Sequence, residues 1–311
     1  MKHFLTEYDF DQNEIIDVFE KAFEFKSDRR KRPTSELRGQ NWGMLFYKNS
    51  TRTRVSFEVG IRELGGNPLV MDQASTQIGR GESASDTIRV LSRYLDGLIV
   101  RAHGHDLLDE FVRHSDIPIV NALTDFLHPC QIYADCMTIL EKNKVGSNPH
   151  EGLKGKKLAF FGDTSCNMAN SWLLAGALFG MEIHLAGPPD FRPRNQIIDF
   201  LDSKGLAQNW HHTLDPIEAA EDADVIYTDV WVSMGCEEAN RLQEMAPFQV
   251  TREILNRAKK DCLFMHCMPA HPGEEVSREV LDSPHAILFD QAENRLHMQK
   301  SILSHLSITS H

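Results

Sequence analysis

The stretch Met44-Leu45-Phe46-Tyr47-Lys48-Asn49-Ser50-Thr51-Arg52-Thr53-Arg54 begins as an apolar run and ends as the start of a helical pattern. Met44–Tyr47 reads as a strand. Beyond it Val55 with Val59, and Phe57 with Ile61, recur on one helix face until Gly65-Gly66 stops the pattern. A helix N-terminus leaves backbone N–H groups without intrahelical partners and carries partial positive charge, so it favours an anion. Ser50, Thr51 and Thr53 add hydroxyl donors there, and Arg52 adds a planar fork that matches phosphate oxygens in pairs. The run reads as a phosphate cradle. An ordinary Ser/Thr cap followed by two surface arginines is the plainer alternative.

Strand and helix alternate on either side of this turn. Upstream, Ile15, Ile16, Phe19, Ala22 and Phe23 form an amphipathic stripe, and Asp11 with Glu14 offers a capping-box start. Downstream, Leu69-Val70-Met71 reads as a short strand and Ser83–Leu95 as a helix. Gly97-Leu98-Ile99-Val100 is a continuous apolar run of the kind buried in parallel sheets, and it delivers Arg101 to its carboxyl end. A helix at Leu107–His114, a strand at Ile117–Asn121 and a helix from Pro129 through Leu140 follow. The polar, breaker-rich segment 142–152 reads as a linker. Strands are then expected at Leu158–Phe161, Glu182–Ala186, Val225–Thr228, Leu263–Met265 and Ile287–Phe289, and a last helix at Ala292–Leu306.

Such alternation implies parallel sheets with helices on both faces. The predicted fold is α/β: two doubly wound parallel-sheet domains, residues 1–142 and 153–291, with the active site in the cleft between them. Residues 292–311 are expected to form a helix that packs back on the first domain. Ligands of such sheets sit outside the carboxyl ends of the strands. That singles out Ser50–Thr53, Arg101, His128, Gln131, Asn167, Asp229, Ser233 and Cys267.

The 311 residues suffice for two ordinary cores. A net charge of −12 disfavours a general nucleic-acid or membrane-surface role, so any phosphate site must be local. No stretch approaches the roughly 18 apolar residues of a spanning helix, and the acidic N-terminal segment lacks the apolar core of a signal peptide. Cys130, Cys136, Cys166, Cys236, Cys262 and Cys267 fall at no disulfide-framework or zinc-ribbon spacing. Free thiols in a cytoplasmic protein are expected.

Three further constellations follow apolar runs. In His128-Pro129-Cys130-Gln131, Pro129 suits the first helical position, placing His128 at the helix entrance with Gln131 one turn on. An imidazole and an amide there can donate to a carbonyl oxygen and bind an NH2 group; a capping His beside a surface Gln is the alternative. In Asp229-Val230-Trp231-Val232-Ser233-Met234-Gly235, Asp229 can pair with an ammonium, or it can simply cap a helix. His266-Cys267-Met268-Pro269 tempts a metal reading with His271. Consecutive strand residues face opposite sides, however, and no second ligand pair stands at zinc spacing, so no metal and no cofactor are expected. Gly162-Asp163-Thr164-Ser165-Cys166 lacks the second and third glycines of a nicotinamide-binding turn.

These segments, in this order, resemble the aspartate/ornithine transcarbamylase family over essentially the whole chain, together with Gln77-Ile78-Gly79-Arg80-Gly81-Glu82-Ser83 and Glu293-Asn294-Arg295. Asp229 to Gly235 and His266 to Pro269 are similar to the ornithine branch. The resemblance implies transfer of a carbamoyl group from carbamoyl phosphate to the side-chain amine of L-ornithine, giving L-citrulline and phosphate. It implies that carbamoyl phosphate contacts Ser50, Thr51, Arg52, Thr53, Arg101, His128, Gln131, Cys267, Met268 and Arg295, and Gln77 from a neighbouring subunit. Asn167, Asp229, Ser233 and Met234 are implied to hold ornithine, and Arg52, Arg101, His128 and Cys267 to carry the catalysis. A homotrimer, or a multiple of trimers, with shared active sites is implied as well. Two positions depart from the pattern: Thr164-Ser165-Cys166 precedes Asn167 where many relatives carry a second Asn, and Pro272 replaces a common basic residue.

Overall fold

Every strand pairing among the described residues runs parallel, as apolar runs joined through helices require. The structure is a computed structural model that describes residues 1–29, 31, 34–73, 81–206, 209–232 and 239–308. It divides into two units: Met1–Met137 with Gly146–Asn148 and Glu293–His311, and Thr138–Val145 with Pro149–Ala292. Among the described residues no helix is long and apolar enough to cross a membrane.

The first part of the chain forms α1 (Gln12–Ser27), β1 (Asn41–Phe46), α2 (Thr51–Glu63), β2 (Asn67–Asp72), α3 (Ala84–Leu91), β3 (Gly97–Arg101), α4 (Asp106–Arg113), β4 (Ile119–Leu123) and α5 (Pro129–Asn143). The second forms α6 (Pro149–Gly152), β5 (Lys157–Phe161), α7 (Asn167–Phe179), β6 (Glu182–Ala186), α8 (Asn195–Ser203), β7 (Trp210–Thr213), α9 (Pro216–Ala220), β8 (Val225–Thr228), α10 (Ala239–Met245), α11 (Arg252–Leu255), β9 (Leu263–His266), α12 (Arg278–Leu281) and α13 (Leu288–Ile308).

The first sheet has the order β2-β1-β3-β4. The chain winds outward from β1 to β2 and then returns to the other side of β1, so the order reverses between β1 and β3. α1 opens on the expected capping box: Asp11 Oδ1 accepts from Asn13 and Glu14 N–H at 2.9 and 3.0 Å, and Glu14 Oε2 accepts from Asp11 N–H at 2.8 Å. Its buried stripe is Ile15, Val18, Phe19, Ala22 and Phe25, with Ile16 and Phe23 only half-buried on its flank. The fourth strand starts two residues later than expected because Ser115 Oγ bonds both the N–H and the C=O of Ile117, holding it in a turn. Residues of α13 complete this unit. Ser301 Oγ donates to Val18 O at 2.6 Å, Lys300 Nζ to Glu63 Oε2 at 2.9 Å, and Lys26 Nζ to Asn294 Oδ1 at 2.8 Å.

The second sheet has the order β7-β6-β5-β8-β9, reversing between β5 and β8. Tyr227 on β8 stacks on Phe160 of β5, and Trp172 of α7 meets it edge-on, with centroids 5.8 and 5.5 Å apart. Burying each of these rings contributes about 2–3 kcal/mol. Two elements differ from expectation. The edge strand β7, Trp210-His211-His212-Thr213, lacks an apolar run and so gave no strand signal. Ile287–Phe289 is not a strand: residues 285–287 make one bridge to Phe264, with bonds of 2.8 and 3.1 Å, and α13 begins at Leu288. Phe289 is 84% exposed, so the apolar trio belongs to no buried strand.

Candidate active site

Each sheet reverses its strand order once, and ligands of open α/β sheets bind at such switch points, beyond the strand ends. The β1/β3 switch falls on the turn after Phe46 and on Arg101, which pair in register. The β5/β8 switch falls on Gly162–Asn167 and on Asp229. Topology thus selects Ser50–Thr53, Arg101, Asn167 and Asp229 among the residues that the sequence patterns single out, whereas His128 and Gln131 follow β4 and Cys267 follows β9, away from the switch points.

At the first switch, Ser50 caps α2 by accepting from Thr53 N–H at 3.3 Å. Thr51 and Arg52 occupy the exposed first turn. Thr53 is fully buried, and its Oγ1 accepts from Arg295 Nη2 at 2.9 Å and from Arg101 Nη1 at 3.5 Å. Two guanidinium groups therefore converge at the helix start. Such a concentration of positive charge suits an anion.

Pro129 is the first residue of α5, and the His128 carbonyl accepts from Gln131 and Ile132 N–H at 3.0 and 3.2 Å. His128 is only 4% exposed. Burial first, then the charges of Arg295 and Arg101, hold its imidazole well below the usual histidine range. It is a neutral ring that keeps one N–H to donate. Gln131 is buried too, which removes the surface-Gln alternative. Its Nε2 donates to Asp135 Oδ1 at 2.8 Å, while Oε1 is buried without a hydrogen-bond partner. A buried amide oxygen of that kind fits an incoming NH2 group. Asp135 is not among the residues singled out above; its spacing of four from Gln131 on one helix face is its signal in the sequence.

At the second switch, Gly162 has φ +108, and a Cβ there would lie 2.7 Å from Trp231 Nε1. Asp163 Oδ1 accepts from Ser165 N–H at 2.9 Å and Ser165 Oγ at 2.6 Å. Cys166 then caps α7, its Sγ accepting from Ala169 N–H at 3.5 Å. Burial and the nearby carboxylates of Asp163 and Asp229 push the Cys166 thiol well up. Asn167 opens α7, half-buried.

Asp229 follows β8, and its Oδ1 accepts from Val230 N–H at 2.8 Å and from the Cys267 thiol at 2.9 Å. Cys267 and Met268 follow β9 in the same unit, with Met268 at φ +63 and a cis Met268–Pro269 bond. His266 fixes this turn: its Nδ1 accepts from Met268 N–H at 2.8 Å and its Nε2 donates to Glu275 Oε1 at 3.2 Å. Donor atoms of Asp229, His266 and Cys267 lie close enough to hold a metal ion, as do those of His271, Glu274 and Glu275. Both ring nitrogens of His266 are already used, so that imidazole is a strut rather than a waiting ligand. Gln77, Ser233 and Met234 lie outside the described residues.

The family description "Aspartate/ornithine carbamoyltransferase, carbamoyl-P binding domain" matches residues 2–141, and its companion "Asp/Orn binding domain" matches residues 154–306. An ornithine carbamoyltransferase of Methanoculleus marisnigri is 46% identical over 308 residues, covering 98% of this chain and 96% of the relative. The solved ornithine carbamoyltransferase of Pyrococcus furiosus matches with a TM-score of 0.90 at 41% identity, covering 97% of this chain and 96% of that one. The anabolic ornithine carbamoyltransferase of Campylobacter jejuni matches with a TM-score of 0.90 at 38% identity, covering 99% and 100%.

Proposed function

We propose how the two sheet ends divide one reaction in this chain, which belongs to the aspartate/ornithine carbamoyltransferase family. Its activity is that of ornithine carbamoyltransferase, EC 2.1.3.3. The carbamoyl group passes from carbamoyl phosphate to the side-chain amine of L-ornithine, giving L-citrulline and phosphate, a step of arginine biosynthesis. The chain carries a carbamoyl-phosphate-binding and an ornithine-binding domain. We assign them to residues 1–142 and 153–291, with 292–311 returning to the first.

Ser50, Thr51, Arg52 and Thr53 hold the phosphate, whose negative charge grows as the C–O bond to carbon breaks; Arg52 supplies the largest share of compensation. Arg101 and His128 donate to the carbonyl oxygen as it becomes an oxyanion. A neutral His128 can do so without adding a third charge beside Arg101 and Arg295. Gln131 Oε1 accepts from the carbamoyl NH2. Arg295 backs the cradle through Thr53, whose oxygen is engaged and whose proton is left to point at the phosphate. Cys267 and Met268 add contacts to the carbamoyl group, and Gln77 of a neighbouring subunit reaches the phosphate.

Asn167 binds the ornithine α-carboxylate, joined by Ser233 and Met234. Asp229 and Cys267 orient the side-chain amine. The neutral amine attacks the carbonyl carbon, a C–N bond forms, the C–O bond breaks, and the amine proton leaves with phosphate. Holding the two substrates in line supplies much of the acceleration. Carbamoyl phosphate arrives already activated, so the chemistry calls for no cofactor and no metal. Sharing Gln77 between subunits implies a homotrimer or a multiple of trimers, and the free thiols among the described residues, Cys130, Cys136, Cys166, Cys262 and Cys267, suit a reducing cytoplasm.

The observation that carries this reading is the convergence of Arg101 and Arg295 on Thr53 beside a neutral, buried His128. The test is release of phosphate and formation of the matching ureido product from carbamoyl phosphate, with ornithine, putrescine and acetylornithine compared side by side as acceptors. Turnover of ornithine alone supports the assignment; preference for another amine overturns the acceptor half-site.

A further inference from the structure

Arg241, the third residue of α10, lies outside every substrate contact described above, yet it is tied to both loops of the second switch. Its Nη2 donates to Asp163 Oδ2 and its Nε donates to the Trp231 carbonyl. Its guanidinium carbon lies 4.8 Å from the centre of the Phe191 ring. The Arg241 and Asp163 side chains are 14% and 11% exposed. Asp163 in turn holds Ser165 through two hydrogen bonds, immediately before the Cys166 cap and Asn167. Trp231 stands two residues after Asp229, and its ring is pressed against Gly162.

From this geometry we propose that Arg241 is a positioning residue for the amino-acid half-site. It locks the β5–α7 loop to the β8 loop and so sets the spacing between Asn167 and Asp229, which read opposite ends of ornithine; the inference rests on that assignment. A second consequence is electrostatic. Paired with Arg241, Asp163 does not compete with Asp229 for the side-chain amine of the substrate. Only a planar fork can bond a carboxylate and a carbonyl at once while stacking on an aromatic ring, so lysine is no substitute.

The test measures steady-state KM values for Arg241→Lys and for the double variant Asp163→Asn/Arg241→Gln, which removes both charges together and leaves neither buried alone. Both are expected to raise the KM for ornithine about tenfold, the scale of one lost charged hydrogen bond. The KM for carbamoyl phosphate should stay within about twofold of the parent in the same range of affinities. An unchanged ornithine KM in folded variants, or an equal rise in both KM values, overturns the proposal. Asp229→Asn is run alongside. A silent Asp229→Asn overturns the half-site reading and the clamp with it, whereas a raised ornithine KM there beside a silent Arg241→Lys overturns the clamp alone.

Discussion

Arg295 Nη2 donates to Thr53 Oγ1 at 2.9 Å across 242 residues of sequence, and Arg101 reaches the same oxygen at 3.5 Å. The last helix thus supplies part of the proposed anion site at the first strand–helix turn. Both lone pairs of the Thr53 hydroxyl are drawn toward guanidinium groups, which leaves its proton free to serve a ligand oxygen. It also places two positive charges against a fully buried threonine, an arrangement that favours a bound dianion.

Arg52 lies on the exposed first turn of α2, where its loss removes charge without opening the core. Arg52→Gly is expected to cut citrulline formation by at least about a hundred- to thousand-fold. The thermal midpoint should stay near that of the parent. Near-normal turnover in a folded variant would remove Arg52 from the phosphate role.

His128 makes a pH prediction. In the unfolded chain its imidazole gains a proton as pH falls through about 6.5, whereas in the folded chain it stays neutral until well below that value. The stability this group contributes is therefore complete above the unfolded value and is lost as pH falls toward the folded one. Urea unfolding of the parent and of His128→Gln, compared from about pH 8 down to about pH 5, should show the steeper loss in the parent. His3, His184 and His297, pushed down to about 4, act in the same direction in both proteins and cancel in the comparison. Equal slopes would mean that folded His128 takes up the proton after all.

Cys267 donates its thiol to Asp229 at 2.9 Å. Cys267→Ala removes that restraint without adding bulk, so the KM for ornithine should rise and kcat should fall, with catalysis surviving. Complete loss of turnover, together with a carbamoyl thioester detected by mass spectrometry in the parent, would make the thiol a nucleophile instead.

Metal dependence can be checked with the same assay. Each ring nitrogen of His266 already has a protein partner, and the proposed chemistry uses no ion. Prolonged EDTA treatment should leave turnover unchanged. Inhibition by the chelator that added zinc reverses would overturn the metal-free mechanism.

Much of the fold could be read ahead of the structure because it follows from neighbours in the chain. The capping box at Asp11 and Glu14, Pro129 at the head of α5 and the apolar run Gly97–Val100 each express preferences that operate within about one turn of helix or one strand. Local preference does not decide an element that a tertiary partner creates or interrupts. The WHHT edge strand β7 exists because β6 offers it a ladder, and Ala286 makes a single bridge to Phe264 before the chain enters α13.

The candidate site divides the same way. Residue types and their order after the apolar runs were enough to name Arg52, Arg101, His128, Gln131, Asp229 and Cys267, because strand ends in alternating α/β chains present whatever polar residue comes next. Three features could be supplied by folding alone: the hold of Arg295 on Thr53, the partnerless Oε1 of Gln131, and the grip of Arg241 on Asp163. Each depends on groups far apart along the chain meeting away from water. Hydrogen-bond geometry and charge there are set by what packs alongside, and chain order carries no record of that.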